Sequence, residues 1–304
     1  MDRQKVLAIV GPTGIRKTSL SVWLAKQLDG EIISCDSMQV YKKMDIGTAK
    51  VTQEEMQGIH HELIDVQNYN EPYNVKVFQE KCRTAIEDVV KRGKFPILCG
   101  GTGLYLKAAL YDYEFQEENE DIAYTAFLNS KTNEELVAML KEKDEKALEK
   151  IHPNNRKRLI RALQICHSGT SKSEQEDKQQ HIPLYDVYFL GLDVDRDILH
   201  DRINKRVDIM FENGLVKEVE DLFTNPETWE YTSFQGIGYK EFKDYFLKEK
   251  SIDEVKTAIK THSRQYAKRQ YTWFKNQMPV HWFEAQNRDE IYSAVKEWLM
   301  DEDK

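Results

Sequence analysis

An α/β fold, a parallel sheet flanked by helices and interrupted by a small helical insertion, is what the sequence predicts. Three observations carry it. Short apolar runs recur just before glycine-rich turns, helical periodicities follow those turns, and one charged stretch breaks the alternation.

Lys5–Val10 (KVLAIV) is an apolar run of the kind buried in a parallel sheet, and Gly11–Thr18 (GPTGIRKT) turns out of it. Ser19–Gly30 then reads as a helix, with Leu20, Trp23, Leu24 and Leu28 on one side and Gly30 as terminator. Glu31–Asp36 is a second strand. Val75, Phe78, Cys82, Ile86 and Val89 recur at helical spacing behind Asn74, a suitable N-cap. Lys94–Cys99 is another strand, and Gly100–Leu110 turns into a helix.

From Tyr113 to Ile151 the text is charged and helical, with a capping box at Thr132 and Glu135. The expected division is therefore a core of residues 1–112 and 152–304, with the C-terminal helices in it, and an insertion of residues 113–151. Gly169–Gln180 is polar and reads as a loop. Leu184–Val194 restores a strand, and Asp195 caps a helix carrying Ile198, Leu199, Ile203 and Met210. A long helix over Ile252–Gln277, a short strand near Val280–Phe283 and a last amphipathic helix complete the chain.

With 304 residues, 40% hydrophobic and 32% charged, the chain can bury a core and is not globally disordered. Its net charge of −8 does not point to a polyanionic partner, yet basic residues cluster. Arg156, Lys157, Arg158 and Arg161 form one group and Arg202 and Arg206 another; Lys256, Lys260, Arg264 and Lys268 recur every fourth residue, with Arg269 beside them. Such stripes track phosphates or simply solvate a helix face. Cys35, Cys82, Cys99 and Cys166 lack a CxxC pair, which fits a reduced cytoplasmic protein and argues against a disulfide framework or a zinc site. The chain reaches its first apolar run at once, so no targeting peptide is expected, and no run is long enough to span a membrane.

GPTGIRKT after a strand and before a helix is the context of a P-loop, making the fold P-loop NTPase-like. Backbone N–H groups and the helix N-terminus would bind phosphate oxygens, Lys17 would add charge, and Thr18 would hold Mg2+. Gly11, Pro12, Thr13, Gly14, Ile15, Arg16, Lys17 and Thr18 are thus the candidate phosphate-binding set. Arg16 stands where the pattern has glycine; helical backbone angles are expected there, so that its Cβ is tolerated. Asp36 ends a strand, where a carboxylate serves as general base, orients a metal-bound water or merely caps a turn. Ser37, Gln39 and Tyr41 follow it, and Thr102 offers a hydroxyl in the glycine-rich turn Cys99–Tyr105.

Taken together, these residues resemble the tRNA dimethylallyltransferase family, of the shorter bacterial type. The likeness runs through GPTGIRKT, DSMQVYKKMDIGTAK, HHELIDV, GGTGLYLKAAL, HPNNRKRLIRAL, RINKRVDIMFENGLVKEV, FQGIGYKEF and RQYAKRQYTWFK. It departs at Arg16, where the family has glycine, and at Gly14, where alanine is usual. The resemblance implies a transferase of tRNA modification that moves a dimethylallyl group from dimethylallyl diphosphate to N6 of adenosine 37. It implies that residues 11–18 hold the diphosphate with Mg2+ at Thr18, that Asp36 is the base, that Arg206 neutralises the leaving group and that Thr102 lies near the reacting centre. It also implies that Asp36, Ser37, Met38, Gln39, Thr102 and Lys157, Arg158, Leu159, Ile160 and Arg161 touch the RNA, with the insertion clasping the anticodon stem-loop. A monomer without membrane contact is expected. The competing readings are a kinase or NTPase with Asp193 or Asp195 as its strand-end acid, a transferase acting on free adenine nucleotides, and a non-catalytic RNA-binding protein.

Overall fold

Five apolar residues in a row, Val6 to Val10, are wholly shielded from solvent, as in a strand covered on both faces. The computed structural model describes residues 3–115, 121–174 and 181–301. The elements are β1 (Lys5–Val10), α1 (Lys17–Leu28), β2 (Gly30–Ser34), α2 (Gln53–Met56), β3 (His61–Glu62), α3 (Val75–Lys91), β4 (Phe95–Gly100), α4 (Gly103–Leu110), α5 (Ile122–Asn129), α6 (Asn133–Asp144), α7 (Arg156–His167), β5 (Asp186–Asp193), α8 (Arg196–Glu212), α9 (Leu215–Leu222), α10 (Lys243–Phe246), α11 (Ile252–Gln277), β6 (His281–Glu284) and α12 (Arg288–Met300), with short 3-10 turns between some of them. The strands form one parallel sheet in the order β3-β2-β4-β1-β5-β6.

Alternation of side chains along the strands divides the core in two. Val6, Ala8, Val10, Ile33 and Leu98 face one way, with Phe78, Cys82, Ile86 and Val89 of α3. Leu7, Ile9, Ile32 and Ile97 face the other, with Leu20 and Leu24 of α1 and Ile291 and Val295 of α12. Val10 pairs with Gly100 and Gly191, and Ser34 with Cys99, so the carboxyl ends of the central strands are level. Their loops gather at one edge, the place where open α/β sheets bind ligands.

Asn74 accepts from the amide of Val77 and Asp195 from those of Asp197 and Ile198, the caps the sequence predicts. The terminator of α1 differs. It is Asp29, in the left-handed region at φ 49°, whereas Gly30 already opens β2.

The chain divides into two compact units, residues 3–111 with 183–301 and Asp112–Ile182. The second is longer than the expected insertion of residues 113–151. Leu159, Ala162 and Leu163 of α7 bury themselves among Leu128, Leu136 and Leu140, so α7 belongs to the insertion's own core. Arg156 tightens this by donating to the carbonyls of Lys131 and Asn129 (2.7 and 2.8 Å). The Thr132–Glu135 capping box is present. Of the polar segment Gly169–Gln180, Ser173 binds the Asp144 carboxylate through its hydroxyl and its amide, and residues 175–180 lie outside the described residues. No helix among the described residues is long and apolar enough to cross a membrane.

Candidate active site

The turn after β1 wraps from Gly11 to the first residue of α1. Lys17 is its cationic centre. Its ammonium bends back over the loop and donates to the carbonyls of Gly11 and Pro12 (2.9 and 2.8 Å). Burial lowers its pKa to about 8, with the neighbouring Arg206 guanidinium acting in the same direction and Cys99 and Asp36 opposing. Arg16 does not take the helical angles expected of it. It is the N-cap of α1 with φ 71° and ψ 31°, in the left-handed region, and no side chain caps the helix there. The backbone keeps the conformation that a glycine adopts without strain, and the arginine bears the steric cost. Pro12 has no N–H to offer, and Ile15 buries its side chain completely, so only its backbone faces the loop's interior.

Residues remote in sequence fasten this turn. Gln270, buried on α11, accepts from the amide of Thr13 (2.9 Å) and donates to the carbonyl of Gly101 (2.9 Å). One amide side chain thus ties the turn after β1 to the turn after β4. Gly101 permits it, because a Cβ there would overlap the Gln270 amide nitrogen. Arg206, on α8, donates to the Thr13 hydroxyl (2.8 Å), and its other amino group lies 3.5 Å from the Ala49 carbonyl. Burial lowers the Arg206 pKa, opposed by Asp36 and Glu55, but a guanidinium stays charged. Arg202, one turn earlier on α8, has a buried Nη1 with no hydrogen-bond partner among the described residues.

Asp36 follows β2 and performs the cap role through one oxygen only. Oδ1 accepts from the amides of Met38 and Gln39 (2.8 and 3.3 Å), fixing the turn that carries Ser37. No hydrogen bond to Oδ2 is made among the described residues, which leaves that oxygen for another proton.

Two cavities meet at these groups. One, of about 880 Å³, is lined by Gly14 to Thr18, Cys99, Arg202 and Lys205. The other, of about 410 Å³, is lined by Ser37, Met38, Tyr73, Tyr105, Met210 and Gly236. Thr13, Asp36, Arg206, Met210 and Tyr266 line both. A cation-rich chamber therefore adjoins one walled by aromatic and thioether groups, with a carboxylate and a guanidinium at the junction. Such an arrangement can hold an anionic leaving group on one side and a planar acceptor on the other. Tyr266 stands at the junction with its hydroxyl pushed up to about 12 by burial and by the charge of Asp36, while Thr102 and Gln270 act against that shift. Thr102 is the N-cap of α4 and borders this constellation through Tyr266.

Other expected residues are placed elsewhere. Lys256 and Lys260 both pair with Asp208 of α8 (2.7 Å each), and Arg264 donates to Asn204 (2.5 Å), so most of the α11 stripe fastens one helix to another. Asp193 is taken by the Tyr271 hydroxyl (2.5 Å) and the Val194 amide, Asp195 caps α8, and neither lines the two cavities. In the second unit, Lys157, Arg158 and Arg161 are exposed on α7, Ile160 is partly covered, and Leu159 is fully buried in that unit's core, so its side chain is not offered to any partner. Among the described residues, Glu31, His60 and Glu62 alone cluster at metal-ligand spacing, but Arg92 already bridges the two carboxylates (2.6 and 2.9 Å).

Gln270, Tyr266 and Arg202 line these cavities without being among the site residues expected from the sequence. Arg202 carried a signal, its place one turn from Arg206, while Gln270 and Tyr266 lay in a motif with no chemistry legible on its face.

The IPP transferase family model matches residues 39–277. The tRNA dimethylallyltransferase of Bacillus anthracis is 49% identical over 301 residues, covering 97% of this chain and 96% of the relative. The solved full-length tRNA isopentenylpyrophosphate transferase of Bacillus halodurans is 41% identical with a TM-score of 0.75, covering 98% of this chain and 97% of that one. A eukaryotic dimethylallyltransferase solved acting on tRNA is 31% identical with a TM-score of 0.82, covering 98% of this chain and 78% of that one.

Proposed function

The chain belongs to the IPP transferase family, the tRNA dimethylallyltransferases, and from that premise we propose that it transfers a dimethylallyl group from dimethylallyl diphosphate to N6 of adenosine 37 in the anticodon loop of tRNA. The observation that carries the chemistry is the junction, where Thr13, Asp36 and Arg206 line both the cation-rich and the aromatic cavity.

In this reading the diphosphate lies in the cradle of residues 11–18, on the backbone N–H groups and the Lys17 ammonium. Lys17 must then exchange its loop carbonyls for phosphate oxygens. Arg206 and Arg202 supply further positive charge. The adenine enters the aromatic cavity beside Met38, Tyr73 and Tyr105, having left the loop stack. N6 forms a bond to the allylic carbon, the carbon–oxygen bond breaks, and its electron pair leaves with the diphosphate. The N6 proton passes to Asp36, whose Oδ2 is uncommitted. An exocyclic amine conjugated to its ring is a weak nucleophile, so a base at that position matters. Charge developing on the bridging oxygen is met by Lys17 and Arg206.

The Thr18 hydroxyl lines the phosphate cavity and is a hard oxygen donor of the kind Mg2+ accepts when diphosphate and water complete its shell. Mg2+ held there would supply Lewis-acid neutralisation of the diphosphate. Lys157, Arg158 and Arg161, exposed on the second unit, give the RNA an electrostatic hold of its own, while Ser37 and Gln39 approach it beside Asp36. The enzyme is taken to work as a cytoplasmic monomer.

Labelled dimethylallyl diphosphate should be offered with undermodified tRNA, with free AMP and with ATP, while ATP hydrolysis is followed in parallel. Label in tRNA alone is the expected result. Label in the free nucleotide, or hydrolysis without transfer, would replace this reading with one of its rivals.

A further inference from the structure

The segment Asp45–Ala49 forms part of the wall of both cavities, yet it has no regular structure to hold it. Its amides are gathered by a single carboxylate. Glu218, on α9, accepts from the amides of Asp45 and Ile46 through Oε2 (2.8 and 2.7 Å) and from that of Gly47 through Oε1 (3.0 Å). Oε1 also accepts from the Tyr239 hydroxyl (2.7 Å). Three successive N–H groups converging on one anion form a nest, here filled from within the protein.

The clamp joins two loops. Tyr239 belongs to the segment that contributes Gly236, Ile237 and Lys240 to the aromatic cavity, and its ring is fully buried. That ring packs against Gly47, where a Cβ would come within 2.5 Å of it. Leu215, Val219 and Leu222, on the face of α9 adjoining Glu218, are buried in the core, so Glu218 projects from a fixed base. Beyond the clamp, the Ala49 carbonyl accepts from Gln39 (3.2 Å) and faces Arg206 (3.5 Å). Gln39 shares the turn capped by Asp36. A continuous path of hydrogen bonds and backbone therefore runs from Glu218 through residues 45–49 to the groups on either side of the junction.

We propose that Glu218, with Tyr239, is a positioning residue for the transfer: its carboxylate shapes residues 45–49 into the cavity wall and so aims Arg206 and the Asp36 turn. Glu218 touches no substrate. The inference rests on the proposed function for its kinetic consequence and on the hydrogen bonds alone for its structural one.

Glu218→Gln keeps the side chain's size but replaces one acceptor oxygen with a donor, which must face an N–H or the Tyr239 hydroxyl. With both substrates saturating, kcat per folded molecule should fall by about tenfold or more. The KM for tRNA should stay within about threefold, because the RNA's electrostatic hold is on the other unit. A side chain that only stabilised the fold would lower the urea midpoint without this split. Hydrogen exchange at the amides of Asp45, Ile46 and Gly47 should accelerate, a readout that needs no substrate. Tyr239→Phe loses only the hydroxyl and keeps the ring against Gly47, so it decides the matter if the glutamine variant does not fold. It should lower kcat by about threefold and accelerate exchange at Gly47. Parent-like kcat in a folded variant, or parent-like exchange at residues 45–47, overturns the inference. An inactive parent would defeat the proposed function instead, and the exchange result would still decide this one.

Discussion

The Arg206 guanidinium donates to the hydroxyl of Thr13 at 2.8 Å, joining α8 to the turn of residues 11–18 at the point where the two cavities meet. Its neighbour on the other side is the Ala49 carbonyl. A cation held on two sides needs little reorganisation when negative charge develops beside it, which is the condition for electrostatic stabilisation of a transition state.

Arg206→Gln should therefore lower kcat/KM for dimethylallyl diphosphate by about 10²–10³-fold, with kcat itself reduced. Steady-state kinetics at saturating tRNA check it. A change confined to KM would mean that Arg206 binds substrate and transition state equally.

Arg16 bears a conformational cost of about 1 kcal/mol in its left-handed backbone. The loop path is nevertheless the one a glycine would take, so the amides keep their aim. Arg16→Gly should raise the unfolding free energy by about that amount, read from a urea titration. Affinity for a diphosphate analogue with Mg2+ should stay equal or weaken, because a positive charge beside the cradle is removed. A tenfold tightening, about 1.4 kcal/mol, would mean that the arginine damages the cradle.

Much of this was legible in the sequence, for identifiable reasons. The bounds of β1, read from an unbroken apolar run, and those of the long helix α11 agree with the sequence expectation, since such patterns act over a few residues. The turn of residues 11–18 was legible from its place between an apolar run and a helical periodicity. Gln270 was not legible, because it works through the Thr13 amide 257 residues away. Lys256, Lys260 and Arg264 read as a stripe for phosphates or a solvated helix face, because one helix's periodicity does not reveal that Asp208 and Asn204 of α8 absorb them. The backbone angles of Arg16 differ from the helical ones expected because the residue type alone does not determine φ. The insertion runs past its expected end because α7 looks like core helix until its partners Leu128, Leu136 and Leu140 are known.

Lys17 should give the reaction a pH dependence. Its pKa of about 8 in the free protein lies below the ordinary 10.5 because the charged form is buried. Below that value the ammonium is charged and the diphosphate gains its partner. As pH rises through about 8 the proton is lost, and KM for dimethylallyl diphosphate should climb by up to tenfold per unit thereafter. Bound diphosphate favours the charged form, so binding near pH 8 should take up a fraction of a proton, measurable by calorimetry in buffers of different ionisation heat. A flat KM from about pH 7 to about pH 9, roughly one unit either side of that pKa, would contradict the assignment.

Neutralising Lys157, Arg158 and Arg161 together should weaken tRNA binding and flatten its salt dependence by roughly 0.7–0.9 in log–log slope for each phosphate left without its cation. KM for dimethylallyl diphosphate should hardly move. Leu159→Ala, by contrast, should cost about 2–5 kcal/mol of the second unit's stability, since that side chain is core. An unchanged salt slope in the triple variant would make this cluster a solvated helix face.

The central claim is that Asp36, capping its turn through Oδ1, takes the acceptor's proton through Oδ2. Asp36→Asn preserves the cap, since an amide oxygen can still accept from Met38 and Gln39, but it cannot accept that proton. The direct measurement is the single-turnover rate of prenyl transfer with tRNA and dimethylallyl diphosphate both saturating, alongside tRNA affinity. The account predicts a rate lower by roughly 10²–10⁴-fold with affinity unchanged. A rate near that of the parent would remove Asp36 from the chemistry and contradict it.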